Sequence, residues 1–298
     1  MDERDKISVI IPVFNRKKEL KRAVESVLKQ THSNFEIIVA DDFSDDNPHE
    51  LINEINDARI RCVRLPKKSN ANVARNAAIK IASGKYIALL DSDDEFLPHH
   101  LERKIKIINE WKCDGIFGSA KIFDGQSYRY KPTRSLKENE KMIDYLLTDG
   151  FAPTPTQFFR SDAIKEILFD EQLNRHQDYD FSVRFSEKYK FLPDNEVTVI
   201  IHWHRNEKRN IDWQSQVKFI EKYKNDISPS VYNHYHMVNY HRVKSSNGPE
   251  KIIRHYETNA SKYIKQMSIS DYFSIYMPKN KFQKIFLRLK FLVKVLLS

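Results

Sequence analysis

Tyr86-Ile87-Ala88-Leu89-Leu90-Asp91-Ser92-Asp93-Asp94 is an apolar run that ends abruptly in three carboxylates. Five apolar residues with aromatic and β-branched members read as a fully buried strand. The carboxylates emerge where the strand leaves the core, which in open α/β sheets is where ligands sit. On an extended backbone Asp91 and Asp93, two apart, point the same way. Carboxylates this close raise one another's pKa unless a cation sits among them. Oxygen-only ligands suit Mg²⁺ or Mn²⁺, which substrate phosphates usually complete. A solvated turn, with an Asp cap for the helix that follows Pro98, is the plainer alternative. The Asp-x-Asp pair alone does not choose between them.

Its neighbours do more. Ile7 to Asn15 reads as a buried strand closed by a turn, followed by helical spacing at Leu20, Ala23, Val24, Val27 and Leu28. A second buried strand, Phe35 to Ala40, ends in Asp41-Asp42-Phe43-Ser44-Asp45-Asp46. A third, Ile60 to Leu65, leads to the Ala-rich helical stretch Asn72 to Ile79, which Ser83-Gly84 stops before the carboxylate strand. Strands alternating with helices imply a parallel sheet with right-handed crossovers, so the polar strand ends converge on one rim.

The segments IIPVFN, VADDFSDD, ARNAAI and SGKYIALLDSDD, in that order and spacing, closely resemble the nucleotide-binding half of family 2 glycosyltransferases with the GT-A fold. The resemblance covers residues 6 to 110 and continues more loosely to about residue 205. One departure is Ala71, where many relatives have Gly before the Ala-Arg-Asn element. The implied fold is α/β: a GT-A (nucleotide-diphospho-sugar transferase) domain with a mostly parallel central sheet. The implied activity is inverting, metal-dependent sugar transfer of the hexosyltransferase type from a UDP-sugar. Pro12, Val13 and Asn15 would line the nucleotide, largely through backbone, and Asp42 would accept from the uracil imide. Arg75 would contact base or diphosphate; a salt bridge to a nearby aspartate is its structural alternative. Asp91 would hold the ribose hydroxyls, Asp93 the Mn²⁺ or Mg²⁺ that bridges the diphosphate, and Asp94 would stand behind them. The metal would neutralise charge developing on the leaving phosphate.

An inverting transfer also needs a carboxylate near the acceptor hydroxyl. Relatives carry Glu-Asp, an aromatic and another Asp at a helix start; here Gln177-Asp178-Tyr179-Asp180-Phe181 stands there. Asp178 matches the family's base, Gln177 replaces the usual Glu, and Asp180 is the runner-up. Helix capping is the plainer use of Asp178. Val197 to Ile201 reads as another buried strand, followed by His202-Trp203-His204-Arg205. Relatives often place a His or Arg there against metal or diphosphate. His202 and His204 share one face of an extended chain; His204 is the favoured metal ligand and Arg205 a phosphate contact. Phe151 to Arg160 reads as a loop and edge strand beside the acceptor, because Pro153 and Pro155 disfavour a central strand.

The chain has 298 residues and a net charge of +9, so anionic partners are expected. Cys62, in a strand expected to be buried, and Cys113 are the only cysteines, which points to a reducing compartment. No signal segment or 18-residue apolar run appears, and the Asn259-Ala260-Ser261 sequon is expected to be idle. The expected organisation is a catalytic domain over 1–205, split near residue 110 into nucleotide and acceptor halves. A helical, aromatic-rich extension over 206–278 follows, whose aromatics serve core packing more readily than sugar stacking. From Lys279 to Ser298, six basic residues and no acidic ones are interleaved with apolar residues. This suits an amphipathic helix on an anionic membrane, with a docked core helix as the alternative. No nucleic-acid motif is present. The combined expectation is a cytoplasmic enzyme, peripheral at the inner face of the cell membrane, acting on a glycan or polyprenyl-diphosphate-linked acceptor. A sugar nucleotidyltransferase is the alternative enzyme class, although Ile11 to Lys18 lacks the glycines of a triphosphate loop. An inactive nucleotide-sugar-binding module is the third reading.

Overall fold

The computed structural model describes residues 5–132, 134–148, 150–203, 212–260 and 262. They fall in two compact units divided between Ser215 and Gln216. The expected boundary at 205/206 and the expected helix over 279–298 lie outside the described residues.

The first unit is built on one sheet. Strands β1 (Ile7–Val13), β2 (Phe35–Asp41), β3 (Ile60–Arg64) and β4 (Tyr86–Leu89) run parallel in the order β3-β2-β1-β4. Helices α1 (Lys17–Leu28), α2 (Pro48–Ile55) and α3 (Ala71–Ile81) connect them. Both faces are covered, which is why β1 and β2 are apolar at nearly every position. Ile7, Val9 and Ile11 share a core with Leu20, Val24 and Val27 of α1. Ile10 and Ile38, also fully buried, alternate to the other face, where α3 packs. Each such side chain contributes about 1.5–3 kcal/mol of burial free energy.

Beyond β4 the sheet is mixed. The order continues β8 (Phe158–Arg160), β6 (Gly115–Phe123), β9 (Phe191–His202) and β5 (Glu95–Phe96), with β7 (Tyr128–Lys131) as a hairpin partner of β6. Strand β8 is antiparallel to both β4 and β6, so β6 and β9 point the same way as β4. Their C-terminal ends reach one rim. Helices α4 (His100–Glu110), α5 (Met142–Leu147), α6 (Ser161–Ile167) and α7 (Gln177–Lys188) complete the layers, and α8 (Trp213–Lys222) crosses the unit boundary.

Three expectations are corrected here. Phe158–Arg160 is a central strand rather than an edge, because both prolines fall in the 3₁₀ turn Thr154–Thr156 or just before it and take no ladder position. Strand β3 is the sheet edge, so Cys62 is half-buried rather than enclosed; it and Cys113 are free thiols. Ser83-Gly84 follows the helix end rather than making it, since α3 already ends at Ile81 with Ala82 extended as its cap; Gly84 serves otherwise. Its role is close approach: a Cβ there would lie 2.6 Å from the backbone nitrogen of Ser8.

In the second unit α9 (Pro229–Ser245) packs on α10 (Glu250–Ala260). Tyr232 donates to Asn259 Oδ1 at 2.9 Å, and Tyr235 meets Tyr256 edge-on at 6.3 Å. These aromatics are core. Among the described residues no helix is long and apolar enough to cross a membrane.

Candidate donor-binding and catalytic site

At the C-terminal rim of β1, β2 and β4 a cleft of about 380 Å³ opens. It is lined by Pro12, Val13, Phe14 and Arg16 after β1, by Asp42 after β2, by Lys68, Ala71 and Arg75, and by Asp91, Ser92 and Asp93 after β4. The size suits a small-molecule ligand.

The carboxylates are each held. Asp42, almost fully buried, accepts from Ser69 N–H at 2.7 Å and from Lys68 Nζ at 2.5 Å, while Lys68 also lies 3.3 Å above the Phe14 ring. Arg75, 3% exposed, donates from Nη2 to Asp91 at 2.6 Å and from Nη1 to Asn72 at 3.2 Å. Its buried Nε finds no acceptor among the described residues. Arg75 lines the cleft, and a guanidinium charge there fits an anionic ligand. Asp93 pairs with Arg16, and its backbone carbonyl accepts from Arg22. The expectation of an extended Asp91–Asp93 segment is corrected: Asp94 N–H closes a turn onto Asp91 C=O at 3.0 Å, and Asp91 and Asp93 still both face the cleft. Asp94 points inward and accepts from His202 N–H at 2.9 Å. Burial, and then the charges of Asp91 and Asp93, push its carboxyl well above the usual range.

Among the described residues no three His, Cys, Asp or Glu side chains converge to hold a metal ion unaided. The turn offers only oxygen donors from one or two carboxylates. That set fits Mg²⁺ or Mn²⁺ completed by phosphate oxygens, and does not fit a structural zinc.

Asp178 sits in the first turn of α7, where the helix dipole favours a carboxylate. Its Oδ1 accepts from Tyr179 N–H at 3.0 Å. Burial pushes its pKa up to about 6; Asp91 adds to the rise, while the Tyr179 N–H and Arg75 oppose it. The residue is half-buried. A base with this pKa is largely ionised at neutral pH and still basic enough to take a proton. Asp180 differs: it is fully buried and ion-paired to Arg184 at 2.8 Å, whose guanidinium also caps the carbonyls of Ile167 and Leu168.

Pro12, Val13, Asp42, Arg75, Asp91 and Asp93 thus meet at one cleft, and the charges of Arg75 and Asp91 act on Asp178. Asn15 does not line it. Its backbone is left-handed (φ 51°), and its side-chain oxygen accepts from Asp45 N–H at 2.7 Å, bracing the loop after β1 against the one after β2. His204 and Arg205 lie outside the described residues. His202 bonds Glu95 at 2.7 Å, beside the carboxylate turn. Phe14, Arg16 and Lys68 were not anticipated; the cation beside Asn15 and the pair Lys67-Lys68 facing an acidic cluster were the available signals.

The sequence profile of glycosyl transferase family 2 matches residues 8–168. The chain belongs to that family: it is a glycosyltransferase, and the nucleotidyltransferase alternative falls. It is similar to the amylovoran biosynthesis glycosyltransferase AmsB of Erwinia amylovora, 31% identical over 62% of this chain and 65% of that one. It is also similar to the Escherichia coli enzyme WfgD, a UDP-Glc:alpha-D-GlcNAc-diphosphoundecaprenol beta-1,3-glucosyltransferase, 36% identical over 41% of this chain and 48% of that one. The matched stretches therefore span about half to two thirds of these relatives. Among solved structures, S. aureus TarS with UDP-GlcNAc superposes over 92% of this chain and 76% of that one, with a TM-score of 0.59 at 19% identity. That likeness concerns the fold, which is GT-A.

Proposed function

We propose that this glycosyltransferase moves a sugar from a UDP-sugar, with inversion, onto a glycan or polyprenyl-diphosphate-linked acceptor in surface-polysaccharide assembly. The observation that carries this reading is one cleft holding Asp42, Arg75, Asp91 and Asp93, with Asp178 within electrostatic reach of Arg75 and Asp91. The activities named for AmsB and WfgD, and the UDP-GlcNAc bound to TarS, support the donor and acceptor classes.

Asp42 accepts from the uracil imide, Asp91 holds the ribose, and the Arg75 guanidinium lends its charge to the diphosphate. Asp93 is the residue that would hold Mn²⁺ or Mg²⁺, which when bound supplies Lewis-acid neutralisation of the leaving diphosphate. The acceptor hydroxyl attacks the anomeric carbon from the face opposite the diphosphate, the bond from that carbon to the diphosphate oxygen breaks and UDP leaves, and Asp178 takes the hydroxyl proton as the glycosidic bond forms.

The deciding experiment is release of UDP from a panel of UDP-hexoses, with and without acceptor and Mn²⁺. A protein that binds these donors but never releases UDP is the inactive module. Asp93→Ala is expected to abolish the Mn²⁺-dependent part of UDP affinity in calorimetry while the melting temperature holds. Unchanged metal-dependent affinity would remove Asp93 from the site. Asp42→Ala should instead weaken uridine binding with or without metal.

Membrane attachment is proposed from the sequence of residues 279–298. Basic residues near an anionic surface contribute about 1 kcal/mol each, so their deletion should release the chain from anionic vesicles. UDP-sugar hydrolysis should stay nearly unchanged, because the proposed site residues precede residue 206. Co-sedimentation of the truncated chain with vesicles would refute the attachment.

A further inference from the structure

Helix α3 turns a row of asparagines toward the loop that leads into α7. Asn70 caps the helix, accepting from Asn72 and Val73 N–H at 3.0 and 3.1 Å, and donates to Glu171 C=O at 2.8 Å. Asn72 and Asn76, four apart on one helix face, are each only 2% exposed. Asn76 makes a two-way clasp with Phe169, donating to its carbonyl and accepting from its N–H, both at 2.9 Å. Asn72 donates to the carbonyls of Asp170 at 2.8 Å and Leu173 at 2.7 Å. These bonds account for both of its amide hydrogens, so its flip state is fixed by the network. Its oxygen, on the other side, accepts from Arg75 Nη1 at 3.2 Å, and Arg75 goes on to Asp91 at 2.6 Å.

Asn72 therefore stands between two parts of the site that come from opposite ends of the domain. One is the Arg75–Asp91 pair at the cleft. The other is the 169–176 loop, whose next residues open α7 and carry Asp178. Buried Ser215 holds the same loop further on, accepting from Asn174 and Arg175 N–H, each at 3.0 Å. The loop is thus fixed at both ends by side chains rather than by a sheet ladder.

We propose that Asn72 is a positioning residue that sets the placement of Asp178 relative to the Arg75–Asp91 pair, coupling the donor cleft to the catalytic base through one amide. This rests on the reading of Asp178 as base and of Arg75 and Asp91 as donor contacts. Misplacing a reacting group by about 1 Å costs on the order of 10²-fold in rate, so the coupling is read in kcat.

The test pairs Asn72→Ala with Asn76→Ala, which loosens the same loop without touching Arg75. UDP affinity by calorimetry, kcat and KM for transfer, and melting temperature are measured on the full chain. Both variants are expected to melt earlier by similar amounts. Asn72→Ala should lose about 10–100-fold in kcat with donor KM changed less than about 3-fold, whereas Asn76→Ala should keep kcat within about 3-fold. Equal kcat losses in the two, or a loss in Asn72→Ala that appears only in KM, would overturn the coupling. Wild-type protein that binds no UDP would instead overturn the donor reading, and it is recorded before any variant is compared.

Discussion

Asp178→Asn is expected to leave UDP-sugar binding intact and to cut sugar transfer by roughly 10²–10⁴-fold, the usual contribution of a positioned general base. The asparagine keeps the size of the side chain, and its oxygen can still accept the Tyr179 N–H that Asp178 holds at 3.0 Å. What it loses is the proton acceptor. Because the Asp178 carboxyl is pushed up to about 6 by burial, wild-type kcat should fall as the pH drops through about 6, when the base becomes protonated. The residual activity of the variant should lack that limb. Asp180→Asn makes the contrast. It breaks the ion pair to Arg184, which also holds the carbonyls of Ile167 and Leu168, so it should lower stability while the folded fraction keeps the pH limb near 6. A large loss in Asp180→Asn without a stability change, together with an active Asp178→Asn, would move the base to Asp180.

The parts of this site visible in the sequence are those written in local pattern. Strands β1, β2 and β4 are buried on both faces, so largely apolar runs such as Ile7 to Val13, interrupted only by Ser8, and Tyr86 to Leu90 announce them. The acidic residues that end them reach the rim by topology alone. The missed parts depend on partners far along the chain. Strand β8 is three residues long and becomes central because β4 and β6 flank it, which no three-residue window reveals. Strand β9 begins at Phe191, six residues before its apolar run, because β6 pairs with it through Pro193 and Asp194. Lys68, Arg16 and the asparagines of α3 are ordinary polar residues by composition. Their roles appear only when the loops at 42–46, 91–94 and 169–173 fold against them.

The same blindness hid a buried charge cluster whose disruption should have the largest effect on stability. Lys104, on α4, is fully buried and donates to Asp194 on β9 at 2.8 Å. Asp194, 1% exposed, also takes a two-pronged bond from Arg103 at 2.7 and 3.0 Å and the Glu196 N–H at 3.1 Å. Burial alone would raise its pKa, but Arg103 and Lys104 more than offset this and hold the carboxyl well below its usual range. Asp194→Asn would leave the Lys104 ammonium enclosed without an anion and turn an amide N–H₂ toward other donors. The expected cost is about 3–5 kcal/mol, a fall in melting temperature on the order of 10 °C. Lys104→Met should cost much less, because Asp194 keeps Arg103 and Glu196. The double variant should cost less than the sum, since no buried cation is then stranded. The pH dependence fixes the sign. In the wild type the folded carboxyl titrates below its unfolded value, so its stabilisation is present above about pH 4 and lost as the pH falls. In Asp194→Asn the charge at issue is Lys104, whose pKa burial lowers. The unfolded chain then binds the extra proton, so the deficit should shrink as the pH rises toward the usual lysine range. A variant within about 1 kcal/mol of wild type at neutral pH, or a deficit that grows with pH, would mean that Lys104 finds another partner once Asp194 is gone.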